Sequence, residues 1–206
     1  MTRPKTLLEM AGVAGQPILW QNATLLLIDH QVEYTAAGGL PLPGIDAAVA
    51  EIGRLLAAAR AAGAPVVHVR HHGRPGGALF NPESPKADFI STIRPLEGEP
   101  VVTKALPNSF ANTDLDSVLR GLGRKELIIA GFQSHMCVSA TARSALDHGY
   151  RGVVVADACA TRDLPDPTGD AVVPAADLHR ISMTALNDRF AVVVRNASAI
   201  SVQAAA

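Results

Sequence analysis

The sequence predicts an α/β domain: a parallel sheet with helices on both faces. Three observations lead there. Short apolar runs alternate with segments of helical period along the chain. The apolar runs are continuous rather than alternating, which is the pattern of strands covered on both faces. Gly63, Gly123 and Gly149 stand just past three of the helical segments, where a left-handed C-cap is wanted.

Taken in order, the candidate strands are 24–30 (TLLLIDH), 65–70 (PVVHVR), 100–104 (PVVTK), 127–131 (LIIAG), 152–156 (GVVVA) and 191–195 (AVVVR). The candidate helices between them are 45–62, 115–122, 134–148 and 175–188. Residues 1–20 read as an arm that packs on the body or on a neighbour, with Trp20 as its strongest anchor. The stretch 71–99 breaks the rhythm with Pro75, Pro82, Pro85 and Pro95 among Gly73, Gly76, Gly77 and Gly98. It predicts an irregular excursion with one short helix near 86–93, serving either as a lid and pocket wall or as a surface loop or subunit contact. There is no internal repeat or linker, so residues 1–206 are expected to form one domain.

Composition narrows the function classes. A net charge of −1 with no run of Lys or Arg gives no surface for nucleic acid or an anionic membrane. The longest aliphatic runs, such as 25–28, are far too short to span a bilayer. Cys137 and Cys159 are too few for a disulfide framework, although a pairing between them stays open. With no signal-peptide pattern at the N-terminus, a cytoplasmic chain with free thiols is expected.

Ligands of open α/β sheets bind at the carboxyl ends of strands. Asp29, Lys104 and Cys137 all fall at or just past such ends. Asp29 alone reads equally well as a turn aspartate, and Lys104 alone as a solvated strand-end lysine. Cys137 says more: Ser134 reads as a helix N-cap, which puts Cys137 in the first helical turn. There the backbone N–H groups and helix dipole favour a thiolate and could hold an oxyanion. Cys159 has no such helix start beside it and reads as structural.

Four segments, LLLIDHQVEY, VVTKALPNSF, AGFQSHMCVSATARSALDHGY and VVVADACAT, together resemble the isochorismatase-like cysteine hydrolases, a superfamily that includes nicotinamidases and N-carbamoylsarcosine amidohydrolases. The likeness runs in family order over about residues 22–195. It implies a three-layer, Rossmann-like fold with a six-stranded sheet of order 3-2-1-4-5-6. It also implies hydrolysis of a C–N bond in a small molecule, with Cys137 as nucleophile, Asp29 as its base and Lys104 as charge partner. A cis peptide at Phe132–Gln133 belongs to the family's oxyanion loop. Tyr34, Phe110, His72 and Trp20 are candidate substrate-binding residues, with His71 an equal candidate to line the pocket. No cofactor is implied. The family's metal spacing is missing around His68, His71 and His72, so no metal is expected. A small-molecule substrate and a homo-oligomer, dimer or tetramer, are the implied partners. The competing readings are isochorismatase-type ether cleavage, or a non-catalytic or redox thiol protein on the same fold. Cys137 favours C–N hydrolysis, and the absence of C-x-x-C weighs against the redox version.

Overall fold

A computed structural model describes residues 3–202. Its elements run α1 (Leu7–Met10), β1 (Ala23–Ile28), α2 (Ile45–Ala61), β2 (Val66–His71), β3 (Val101–Lys104), α3 (Leu115–Leu122), β4 (Glu126–Phe132), α4 (Ser139–Asp147), β5 (Arg151–Ala160), β6 (Leu164–Pro165), β7 (Val172–Val173), α5 (Ala175–Arg189) and β8 (Ala191–Val194). Six strands form one sheet of order β3-β2-β1-β4-β5-β8, all paired in parallel. With β8 as the sixth main strand, this is the predicted order.

The continuous apolar runs become the central strands. Every residue of β1 is buried, its odd positions against one helical layer and its even positions against the other. On the first face Leu25 and Leu27 meet α2, whose Ile45, Ala48, Ile52, Leu55, Leu56 and Ala59 form one helical stripe. On the second face Leu26 and Ile28 pack with Leu115 and Leu119 of α3, Ala142 and Ala145 of α4, and Met183 and Leu186 of α5. Gly63, Gly123 and Gly149 all have positive φ at the expected C-caps.

Three local features differ from the sequence reading, and a fourth settles an alternative it left open. The fifth strand runs to Ala160, past its predicted end at 156, because a register shift between Ile129 and Gly131 lets it continue beside β4. The hairpin β6–β7 follows it. The excursion has two 3₁₀ turns, Pro85–Ala87 and Ser91–Ile93, in place of one short helix. The arm packs on the chain's own body: Thr6 and Glu9 form a capping box on α1, and the Leu7 N–H donates to Asp188 Oδ1 of α5 at 3.0 Å.

The excursion is tied down beside the carboxyl end of β1. The N–H of Val32 donates to the Asp88 carbonyl and that of Ile90 to the His30 carbonyl. Gln31 donates to the carbonyls of His71 and Ala87. This segment therefore walls the edge of the sheet where the three polar strand-end residues meet.

Candidate active site

Asp29 is the first residue beyond β1. Its N–H continues the ladder to the Val69 carbonyl, and its φ of +52° then turns the chain off the sheet. Lys104 ends β3, two strands away, a gap of about 10 Å. Its stem crosses the end of β2 and closes that gap. Lys104 Nζ stands 2.7 Å from Asp29 Oδ2 and 3.3 Å from Cys137 Sγ. Both charged side chains are fully buried, and Cys137 is 4% exposed. Lys104 and Asp29 form a close charge pair, and the carboxylate also stands beside the Cys137 thiol, where it can accept a proton.

Burial sets the resting protonation states. It raises the pKa of Asp29, and the Lys104 charge opposes that rise. The Cys137 thiol is pushed up to about 12, first by burial and then by the adjacent Asp29 charge, with Lys104 again opposing. Cys137 is thus held towards the neutral thiol, against the pull of its helical position. The dipole of one turn does not outweigh desolvation plus a neighbouring carboxylate.

The Phe132–Gln133 peptide is cis, the isomer the family resemblance implies, whereas the turn that carries Cys137 differs from expectation. Residues Ser134–Val138 form a π-helical turn, and regular α-helix begins only at Ser139. Ser134 does not cap this helix; its Oγ lies 2.7 Å from His179 Nδ1 of α5. His135 Nδ1 lies 2.5 Å from Thr161 Oγ1. Gly131 sits at φ +122°, and a Cβ there would come within 2.0 Å of the Ile28 carbonyl oxygen, so only glycine fits.

Of the other predicted site residues, Tyr34 and Gln133 come together beside the cluster. Burial raises the Tyr34 pKa well above 10, the Asp29 and Cys137 charges add to that, and the Gln133 side chain opposes it. His71 joins them with Nδ1 3.3 Å from Lys104 Nζ. Burial, with the Lys104 charge, lowers its pKa to about 4, so the ring is neutral. His72 does not join them. Its N–H extends the β2–β3 ladder to the Lys104 carbonyl, while its ring titrates beside Arg70 and Asp88.

Phe110 and Trp20 lie away from the cluster. The Phe110 ring stacks on His148, past the far end of α4, at 4.4 Å. Trp20 is buried in the core before β1 begins, so about 20 Å of strand separates it from Asp29. Both serve packing. His68 also faces away, hydrogen-bonded to His30 and Glu99.

Three residues at the site carried no sequence signal: Glu33, Phe80 and Arg162. Arg162 follows β5, and its charge lowers the pKa values of Tyr34 and His135. Its Nε is buried with no hydrogen-bond partner among the described residues.

Comparison with known proteins agrees with this arrangement. The sequence model of the isochorismatase domain matches residues 23–198. The chain belongs to the isochorismatase family. The family protein YddQ of Bacillus subtilis is 44% identical over 84% of this chain and 95% of its own length. Maleamate amidohydrolase of Pseudomonas putida is 33% identical over 73% of this chain and 78% of its own. In three dimensions, the crystal structure of an isochorismatase (PP1826) from Pseudomonas putida KT2440 superimposes with a TM-score of 0.89. It is 47% identical, over 95% of this chain and 99% of that one. The α/β/α sandwich described above is therefore the isochorismatase-family fold, and the chain is a hydrolase of that family.

Proposed function

We propose that this protein is an amidohydrolase that cleaves the C–N bond of a small amide or ureide through a thioester on Cys137. One observation carries the reading. Lys104 Nζ lies 2.7 Å from Asp29 and 3.3 Å from Cys137 Sγ in a cluster closed to solvent. Asp29 takes the thiol proton as Sγ attacks the carbonyl carbon, and Lys104 balances the charge that passes between them. The oxyanion is received by backbone N–H groups at Cys137 and next to Gln133. The C–N bond then breaks, and the nitrogen leaves with the proton returned by Asp29. Water, deprotonated by Asp29, attacks the thioester and frees the carboxylic acid and the thiol. A thiol that is neutral at rest suits this route, because it ionises only when a carbonyl is in place.

The unpaired Arg162 beside Tyr34 supports a substrate that bears a carboxylate at the end remote from its amide. The relative named for maleamate supports the amide reading. Two free cysteines suit a reducing compartment such as the cytoplasm. No helix among the described residues is long and apolar enough to cross a membrane.

The test is ammonia release from a panel of dicarboxylic-acid monoamides, ureido acids and uncharged primary amides. Wild type should release ammonia, and Cys137→Ser should lower the rate by about 10³-fold or more. Arg162→Met should raise KM for the acid-bearing amides by about 10- to 100-fold and leave uncharged amides unchanged. An absence of release from the whole panel would sink the amidohydrolase reading.

A further inference from the structure

Phe80, in the middle of the long excursion, has φ +52°, a conformation that a bulky side chain adopts only when its surroundings hold it there. Two hydrogen bonds do so. Its N–H donates to Glu33 Oε2 at 2.8 Å, and its carbonyl accepts from the Gly73 N–H at 2.8 Å. Glu33 is itself 1% exposed, and its second oxygen accepts the Gly39 N–H at 2.6 Å. A Cβ at Gly39 would lie 2.5 Å from Glu33 Oε1, and one at Gly73 would lie 2.7 Å from the Leu79 carbonyl oxygen. A buried carboxylate and two glycines thus converge to hold one ring in place.

That ring stands edge-on to two others. Its centroid is 5.2 Å from that of Tyr34 and 5.1 Å from that of His71. Tyr34 in turn meets Phe132, at the entry to the Cys137 turn, at 5.7 Å, and His71 touches Lys104. The rings form an arc from Lys104 round to the nucleophile turn, with Phe80 at its centre. Phe80 is 8% exposed and Cys137 4% exposed.

We propose that Phe80, held by Glu33, is a specificity-determining cap over Cys137 that restricts the site to short, flat, unbranched amides. Glu33 is a positioning residue, because its carboxylate holds the backbone N–H groups of Phe80 and Gly39. The substrate class rests on the amidohydrolase reading; the cap itself does not.

The experiment therefore has one arm that needs no turnover. The full-length protein is treated with iodoacetamide or with the bulky disulfide 5,5′-dithiobis(2-nitrobenzoate). Modification of Cys137 is followed by peptide mass spectrometry, which separates it from Cys159. Phe80→Ala should speed the bulky reagent about 10-fold or more relative to the small one, the scale on which an apolar pocket discriminates size. Glu33→Gln, which keeps the volume but weakens the grip on the Phe80 N–H, should move the ratio the same way by less. In the second arm, kcat/KM for a branched against an unbranched amide should rise by a similar factor in Phe80→Ala. Equal acceleration of both reagents means general loosening and overturns the cap, as does an unchanged ratio. If Phe80→Ala does not fold, Phe80→Leu carries the same comparison. A wild type that releases no ammonia ends the amidohydrolase reading, while the alkylation ratio still decides the cap.

Discussion

At the residue scale, the chemistry turns on how three buried groups share one charge balance. With its pKa pushed up to about 12, Cys137 is a thiol at pH 7, and the proposed attack needs its proton removed. Asp29 raises the thiol pKa by its charge, and in the proposed mechanism its carboxylate also takes the proton. Asp29→Asn should separate these effects. The apparent pKa of Cys137, read from the pH dependence of iodoacetamide alkylation, should fall because a repelling charge is gone. Ammonia release should fall by about 10²- to 10⁴-fold because the base is gone. If both quantities stayed at their wild-type values, Asp29 would not be coupled to the thiol. The presence of Asp29, Lys104 and Cys137 at strand ends was legible in the sequence. Their protonation states were not, because these depend on how completely the excursion closes over them.

At the element scale, the excursion is secured at its far end by a chain of buried polar groups. His68 Nε2 lies 2.8 Å from Glu99 Oε2, and His68 Nδ1 lies 3.0 Å from His30 Nε2. The carboxylate places the His68 proton on Nε2, so Nδ1 accepts and His30 donates. Glu99 also pairs with Arg60 through both oxygens and accepts the Leu96 N–H. Burial alone would raise the Glu99 pKa, but Arg60, Leu96 and His68 together lower it to about 2. Its contribution to stability is therefore present above the ordinary carboxylate value of 4.5 and is lost as pH falls towards 2. His68 and His71 have lowered values, the latter about 4, so the unfolded chain takes up their protons first and stability declines below pH 6.5. Urea midpoints from pH 7 to 3 should show this decline, and Glu99→Gln should flatten the part below pH 4.5. An identical profile in the variant would remove Glu99 from the account. The β1–β4 pair carries a second constraint: Gly131→Ala would drive a methyl into the Ile28 carbonyl. It should cost at least about 3 kcal/mol, read as a lowered urea midpoint.

At the scale of the whole molecule, the sheet brings to one edge residues that lie far apart in the chain. The order β3-β2-β1-β4-β5-β8 makes β1 and β4 neighbours, so Asp29 and the Cys137 turn emerge side by side. Brought to the same edge are Lys104 from β3, Arg162 past β5 and His179 from α5, the last held against Ser134. The other end of the sheet holds the arm. Edge strand β3 exposes Val101, and Leu106 is exposed just beyond it, which suits burial in a homo-oligomer. Light scattering should give a mass that is a multiple of the single chain. A monomer across the micromolar range would contradict that expectation.

The sequence by itself determined the six parallel strands, three helix-capping glycines and the set Asp29, Lys104 and Cys137. Each of these is written locally, as an apolar run, a residue just past a strand end, or a glycine just past a helix. Only the tertiary structure decided which other residues gather round that set. It left Trp20 and Phe110 in the packing and brought in Phe80, Glu33 and Arg162. The Glu33–Phe80 bond joins positions 47 residues apart through an irregular loop. Such contacts have no period to read, because they depend on how loops close over a sheet edge. Sequence spacing therefore located Asp29, Lys104 and Cys137, and loop closure decided what surrounds them.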